Sequence, residues 1–221
     1  MTFTVFVGMV GGAGTTSAAF TYALAAHQRG SHVAYVDLTG DVTAVAGLPT
    51  YPTDGLTDAL AATYGQIRPR VDDPFDIYTL GSARSWSPDR VDDLLHRLAG
   101  YDVVVVDAGR HGPEFPSSMT HLRRRLYNES TQLVAVMRGP SYQSLSNYKM
   151  FVADVATPDA VLLHREDRRA LLNSDVRAVI DAPLVAVDVS AAVARTIDAG
   201  LLQYQRALPA WTSFFETPTA V

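Results

Sequence analysis

The sequence predicts an α/β domain, a mostly parallel sheet with helices on both faces. Three observations carry this. Short β-branched runs alternate with longer helical stretches along most of the chain. The run Asp102 to Asp107 (DVVVVD) is apolar on both sides, as strands inside a parallel sheet are. Hydrophobic residues make up 48% and charged residues 19% of 221, enough for a large core and too apolar for disorder. With no repeat, linker or low-complexity stretch, residues 1–208 read as one domain and 209–221 as a C-terminal tail.

The elements follow in order. Thr2 to Val10 reads as a strand, then a small-residue turn leads into a helix from Thr16 to Gly30. His32 to Leu38 (HVAYVDL) is the second strand. The segment from Gly40 to Pro74 is rich in turn residues, with one helical stretch from Leu56 to Tyr64. Asp76 to Leu80 is a short strand and Pro88 to Leu98 (PDRVDDLLHRL) a helix opened by proline. After the strand ending at Asp107 come a helix (Ser117 to Tyr127), a strand (Gln132 to Met137) and a helix (Ser141 to Val152). Two further strands, Ala160 to Leu163 and Leu184 to Val187, precede a helical stretch from Ser190 to Leu208 that Gly200 weakens. Strand–helix alternation implies right-handed crossovers between parallel strands.

Composition excludes several functions. There is no cysteine, hence no disulfide, thiolate metal site or thiol nucleophile. The net charge of −5 argues against a globally basic nucleic-acid binder. The apolar runs are too short for a membrane span, and the N-terminus lacks a charged secretory n-region, so a cytoplasmic domain is expected. The six histidines show no metal spacing, and no G-x-S-x-G elbow is present. Positive charge comes from 17 arginines and one lysine, Lys149.

The turn after the first strand carries the most chemistry. Gly11, Gly12, Ala13, Gly14, Thr15, Thr16 and Ser17 let backbone N–H groups converge on an anion at a helix N-terminus. Beyond the carboxyl end of a strand is where open α/β sheets hold ligands. Two ligand classes fit. A dinucleotide turn would use Gly12, Gly14 and Ser17 with Asp37 on the ribose, giving an NAD(P) oxidoreductase, although its third small position is serine. A standard P-loop, G-x-x-x-x-G-K-[ST], fails at Met9 and Thr15 and fits only at Gly14 and Thr16.

Residues 11–17 resemble the deviant Walker A loop of the ParA/MinD superfamily, K-G-G-x-G-K-[ST]-[ST]. Four further stretches resemble that family in the same order. VAYVDL resembles its V-x-x-I-D-x-D strand, and GLTDAL (Gly55 to Leu60) its G-L-[ST]-D-x-L turn and helix. YDVVVVD (Tyr101 to Asp107) resembles its Walker B strand, and Ala182 to Gly200 its late strand and helix. The small residue in place of the loop lysine resembles the CpaE/TadZ branch, which places pilus-assembly machinery. The receiver-like domain that many of that branch carry is missing from this sequence.

The resemblance implies an ATP–Mg²⁺ cradle, with Thr16, Asp37 and Asp107 around the metal. It also implies lost catalytic parts. The signature lysine falls on Val10, the loop lysine on Thr15 and the water-positioning acid on Thr39, with Asp41 two residues on. Phosphoryl transfer depends on positioned charge, and each lost donor slows it by about 10²–10³. The expectation is a degenerate ATPase that binds nucleotide weakly or not at all. It would act as a homodimeric positioning or assembly factor for a partner such as a pilus or secretion ATPase, at a cell pole or membrane-associated complex. An active ATP-dependent partition or localisation switch is the alternative. Lys149 or Arg110 would then have to replace the lost charge.

Other features are weaker. Arg123, Arg124 and Arg125, with Arg168 and Arg169, form basic clusters that would contact nucleic acid, or else make solvated faces. His111 follows the Walker B strand in the stretch that senses nucleotide in the family. Trp211, Phe214 and Phe215 make the tail a candidate partner contact.

Overall fold

The computed structural model describes residues 1–47, 55–62, 67, 69–72, 75–112, 117–139, 141–165, 171, 173–188, 195–196 and 199. Eight strands form one sheet. They are β1 (Thr2–Gly8), β2 (Val33–Asp37), β3 (Arg70–Asp72), β4 (Phe75–Tyr78), β5 (Val103–Arg110), β6 (Gln132–Arg138), β7 (Ala160–Arg165) and β8 (Leu184–Asp188). Their order is β3-β4-β2-β5-β1-β6-β7-β8. Seven are mutually parallel, and β3 adds antiparallel to β4 at the edge. The helices are α1 (Thr15–Gln28), α2 (Val42–Ala46), α3 (Leu56–Ala61), α4 (Pro88–Leu98), α5 (Ser117–Glu129), α6 (Tyr142–Asp154) and α7 (Asn173–Arg177).

The expected α/β fold is present, with its parallel sheet. The first strand stops at Gly8, so Met9 and Val10 belong to the turn, and α1 starts one residue earlier than the pattern predicts. Three short elements, α2, β3 and α7, were not expected. Each has five residues or fewer, too few to show a period. The stretch Leu56 to Tyr64 is helical to Ala61, and its last two residues lie outside the described set. Nearly all of the Ser190 to Leu208 helix, and the whole tail, also lie outside it.

Two apolar cores sandwich the sheet. On one side Phe6, Tyr35, Val105 and Val134 meet Phe20 and the alanines of α1. On the other side Val5, Val36, Val104 and Val106 meet Val91, Leu94 and Leu98 of α4, with Leu122 and Leu126 of α5. The two layers explain the different helix patterns. In α1 every residue from Thr15 to Ala26 is buried, so the helix shows no polar face. In α4 Val91, Leu94 and Leu98 turn inward, and the charged residues between them face water.

Candidate functional site: the glycine turn and its carboxylates

β1 lies at the centre of the sheet, so its turn emerges between the ends of β5 and β6. Gly12 and Gly14 adopt left-handed backbone, at φ 68° and 82°. Gly14 also lies under His164, and a Cβ there would come 2.6 Å from the ring. Only glycine satisfies both demands. Gly14 is the N-cap of α1, and no side chain caps that end. The first-turn N–H groups therefore point toward whatever anion the loop receives.

Three contacts fix the loop. Asn147 Nδ2 donates to the Met9 carbonyl at 2.6 Å. The Met9 N–H donates to the Val136 carbonyl at 2.8 Å. His164 Nδ1–H donates to the Ala13 carbonyl at 2.7 Å. Burial pushes the His164 pKa below its ordinary value, so the ring is neutral and its Nδ1 carries the proton. The sequence shows His164 just after the strand run Ala160 to Leu163, but not that this strand lies two places from β1.

The expected site residues converge. Residues 10–17 line a cavity of about 720 Å³ together with Leu38, Thr39 and Asp41 after β2, Leu80, Arg84 and Trp86 after β4, Gly109 and Arg110 at the end of β5, and Met119 of α5. Asp58, in the GLTDAL stretch, shapes one wall. Its carboxylate accepts the N–H groups of Ser82 at 3.0 Å and Ala83 at 2.8 Å. That ties α3 to the segment carrying Arg84 and Trp86.

Behind the loop, Asp37 and Asp107 lie in register on neighbouring strands, both fully buried. Burial and then the Asp37 charge push the Asp107 pKa up to about 7, against a hydrogen bond from Thr16 that lowers it. Burial also raises Asp37, although its carboxylate accepts N–H groups from Thr39 at 2.8 Å and Gly40 at 3.0 Å. Two buried carboxylates and a threonine hydroxyl form an oxygen donor set suited to Mg²⁺, which takes one or two carboxylates plus phosphate oxygens. Thr16 and Asp107 are within hydrogen-bonding reach of each other, so they fit a shared ion. Asp37 is more committed to its own turn.

The lysine positions hold no cation. Val10 lines the cavity, and Thr15 is buried with its hydroxyl packed against Gly8, where a Cβ would come 2.5 Å from Oγ1. Thr39 donates its hydroxyl to Asp37 at 2.7 Å. Asp41 is exposed, with its side chain on the cavity wall. Lys149 is exposed on α6 and is not among the cavity's lining residues, whereas Arg110 is.

The basic cluster on α5 is split. Arg123 is buried, and its Nη2 donates to the carbonyls of Ala108 and, at 2.6 Å, Arg110. Arg124 is exposed, and Arg125 pairs with Asp92 at 2.6 Å. The structure thus withdraws Arg123 from the surface on which it was expected. Arg168 and Arg169 lie outside the described residues. His111 packs edge-on against Phe151, with its Nε2 3.9 Å from the Asp154 carboxylate.

No family model and no curated protein matches the sequence. Solved structures do match in shape over nearly the whole chain. A ParA family ATPase from Chlorobium tepidum superposes with a TM-score of 0.70 at 18% identity, covering 97% of this chain and 98% of that one. MinD of Pyrococcus horikoshii, solved with Mg-ADP, gives 0.68 at 20% identity over 98% and 90%. MinD of Aquifex aeolicus gives 0.73 at 14% over 96% and 92%, and its MinC:MinD complex also matches. At these identities the likeness is one of fold. The chain has the fold of the ParA/MinD ATPases, with a glycine loop, a buried aspartate pair and no lysine at either loop position.

Proposed function

We propose that this chain is a ParA/MinD-type positioning or assembly factor that no longer turns over ATP usefully. It would form a homodimer and recruit a protein partner, in the manner of the CpaE/TadZ branch. One observation carries the reading. The loop keeps its anion-binding backbone, but Thr15 stands at the lysine position with its hydroxyl turned onto Gly8. A nest of N–H groups binds phosphate in the ground state, whereas transfer needs fixed charge that grows in importance at the transition state. Thr39 adds to this. Its hydroxyl is engaged with Asp37, and it offers no carboxylate to position water. Mg-nucleotide is the cofactor to expect where any binds, with Thr16 and Asp107 at the ion.

No described helix is long and apolar enough to cross a membrane. The test pairs two measurements on the full chain. Phosphate release with Mg-ATP should stay at background, and sizing without nucleotide should show a dimer. Release at the rate of an active ParA-fold ATPase, with dimerisation only in ATP, would establish the switch instead. Thermal stabilisation by NAD(P) but not ATP would return the dinucleotide reading.

A further inference from the structure

β5 and β6 flank β1, and parallel strands in register end at one level. The residues that close those two strands therefore stand on either side of the loop that leaves β1. Both are arginines. Arg110 is in register with Gly8, the last residue of β1. On the other side Gly8 is in register with Val136, two residues before Arg138. Neighbouring strands are about 4.8 Å apart, so both backbones lie beside the start of the loop.

The side chains are placed accordingly. Arg110 lines the same cavity as residues 10–17. Arg138 is not among the cavity's lining residues, but its Nη1 would be 3.2 Å from a Cβ built on Gly12, which puts that end of the guanidinium beside the middle of the loop. Both strand ends are anchored. Arg123 holds the Arg110 carbonyl at 2.6 Å, and the next N–H, of His111, donates to the Gly8 carbonyl at 2.8 Å. The Gly139 N–H, just after Arg138, donates to the His164 carbonyl at 2.7 Å.

The geometry points to Arg110 and Arg138 as a pair of phosphate-binding residues that bracket the loop and replace its two missing lysines, with a nucleoside triphosphate as ligand. The inference rests on reading the loop as a nucleotide cradle. A guanidinium suits the task because it stays charged and presents a planar fork to two phosphate oxygens. Two such cations would also favour phosphoryl transfer, so of the missing catalytic parts the one left unreplaced is the water-orienting acid, at the position of Thr39. The pair tightens binding, and it is Thr39 alone that then withholds turnover.

The test is calorimetric titration of the full chain with Mg-ATP and, to isolate the phosphate contribution, inorganic tripolyphosphate. R110A and R138A should each weaken both probes about tenfold, and the double variant about a hundredfold. R110K and R138K should recover part of the loss. K149A and R124A should stay within about twofold of the wild type, and thermal melts should show all variants folded. The proposal is overturned if the wild-type chain binds neither probe at millimolar concentration. It is equally overturned if either arginine variant binds as the wild type does, or if K149A loses as much as they do. Rapid phosphate release by the wild type would remove the non-catalytic reading and leave the arginine pair standing.

Discussion

The turns after β1 and β2 lie on either side of β5 at the carboxyl end of the sheet and solve the same problem in opposite ways. Each gathers backbone N–H groups at a strand end. After β2 the anion is built in. Asp37 accepts the N–H groups of Thr39, Gly40 and, at 3.4 Å, Val42, and so organises the turn into α2. After β1 there is no acidic side chain, and the turn is shaped by Gly12, Gly14 and contacts to its carbonyls. No side chain caps the helix end that it leads into. One turn is closed on itself, and the other, on the proposed reading, receives an anion from outside.

The largest expected effect tests the backbone geometry of the turn after β1. Gly14→Val places a β-branched side chain at positive φ and against the His164 ring, so the loss should be about 4 kcal/mol or more. Such a variant would show little cooperative unfolding in urea. Gly12→Ala meets only the movable Arg138 guanidinium, and should lose about 1 kcal/mol. Equal losses at the two glycines would mean that the His164 contact does not hold the loop.

The next effect tests the buried carboxylate pair, Asp37 of the closed turn and Asp107 of β5. The Asp107 pKa rises from 3.8 unfolded to about 7 folded, and Asp37 shifts the same way. A raised carboxyl pKa means that the folded state holds the proton more tightly. Stability is then greatest below about pH 4, declines as pH rises toward 7, and carries its full penalty above that. Three units correspond to roughly 4 kcal/mol as an upper bound, because the two carboxyls share the effect. Other groups give their own pH dependence, so the variant comparison is the measurement. Asp107→Asn should stabilise the protein at pH 8 relative to wild type and change it little near pH 4. An equal change at both pH values would show that Asp107 is not held protonated by its buried site.

The contrast between the turns also explains what could be read from the sequence. The β strands were legible because parallel strands buried on both faces give continuous β-branched runs such as Val103 to Val106. The loop was legible because its glycines encode backbone shape directly. Asp37 and Asp107 were legible by resemblance, but their mutual burial was not, since Asp37↔Asp107 pairing needs the order of the strands. Arg138 and His164 were illegible for the same reason. Each reaches the loop only because β6 lies beside β1 in space and β7 beside β6, more than 120 residues along the chain. Arg123 misled because three consecutive arginines look alike in sequence, whereas helical geometry points them 100° apart.

Arg123 gives the third prediction, on the strand end that carries Arg110. Its guanidinium is buried and donates to two strand-end carbonyls, Ala108 and Arg110. Arg123→Met keeps the aliphatic packing and leaves both carbonyls short of a donor, for a loss of about 2–3 kcal/mol. The urea midpoint should fall while the slope stays constant. A loss below about 0.5 kcal/mol would mean that water satisfies these carbonyls and that Arg110 is not anchored through them.

The smallest effect belongs to the exposed arginines of the same helix. Arg125 pairs with Asp92 at 2.6 Å, with side chains 37% and 65% exposed, and reaches Glu129 at 3.9 Å. Solvent screens such pairs, so Arg125→Ala should shift stability by about 0.5 kcal/mol or less, as should Arg124→Ala. The double variant separates a solvated face from a nucleic-acid contact. Two local carboxylates offset Arg125, and the third arginine of the run is inside the protein. Retention on duplex DNA should therefore be unchanged by the double substitution at low salt. If retention drops and the slope of log affinity against log salt falls by about one per arginine removed, the helix is a phosphate-contacting surface after all. That result would leave the turn after β1 untouched, because the loop's cations come from the ends of β5 and β6 and not from α5.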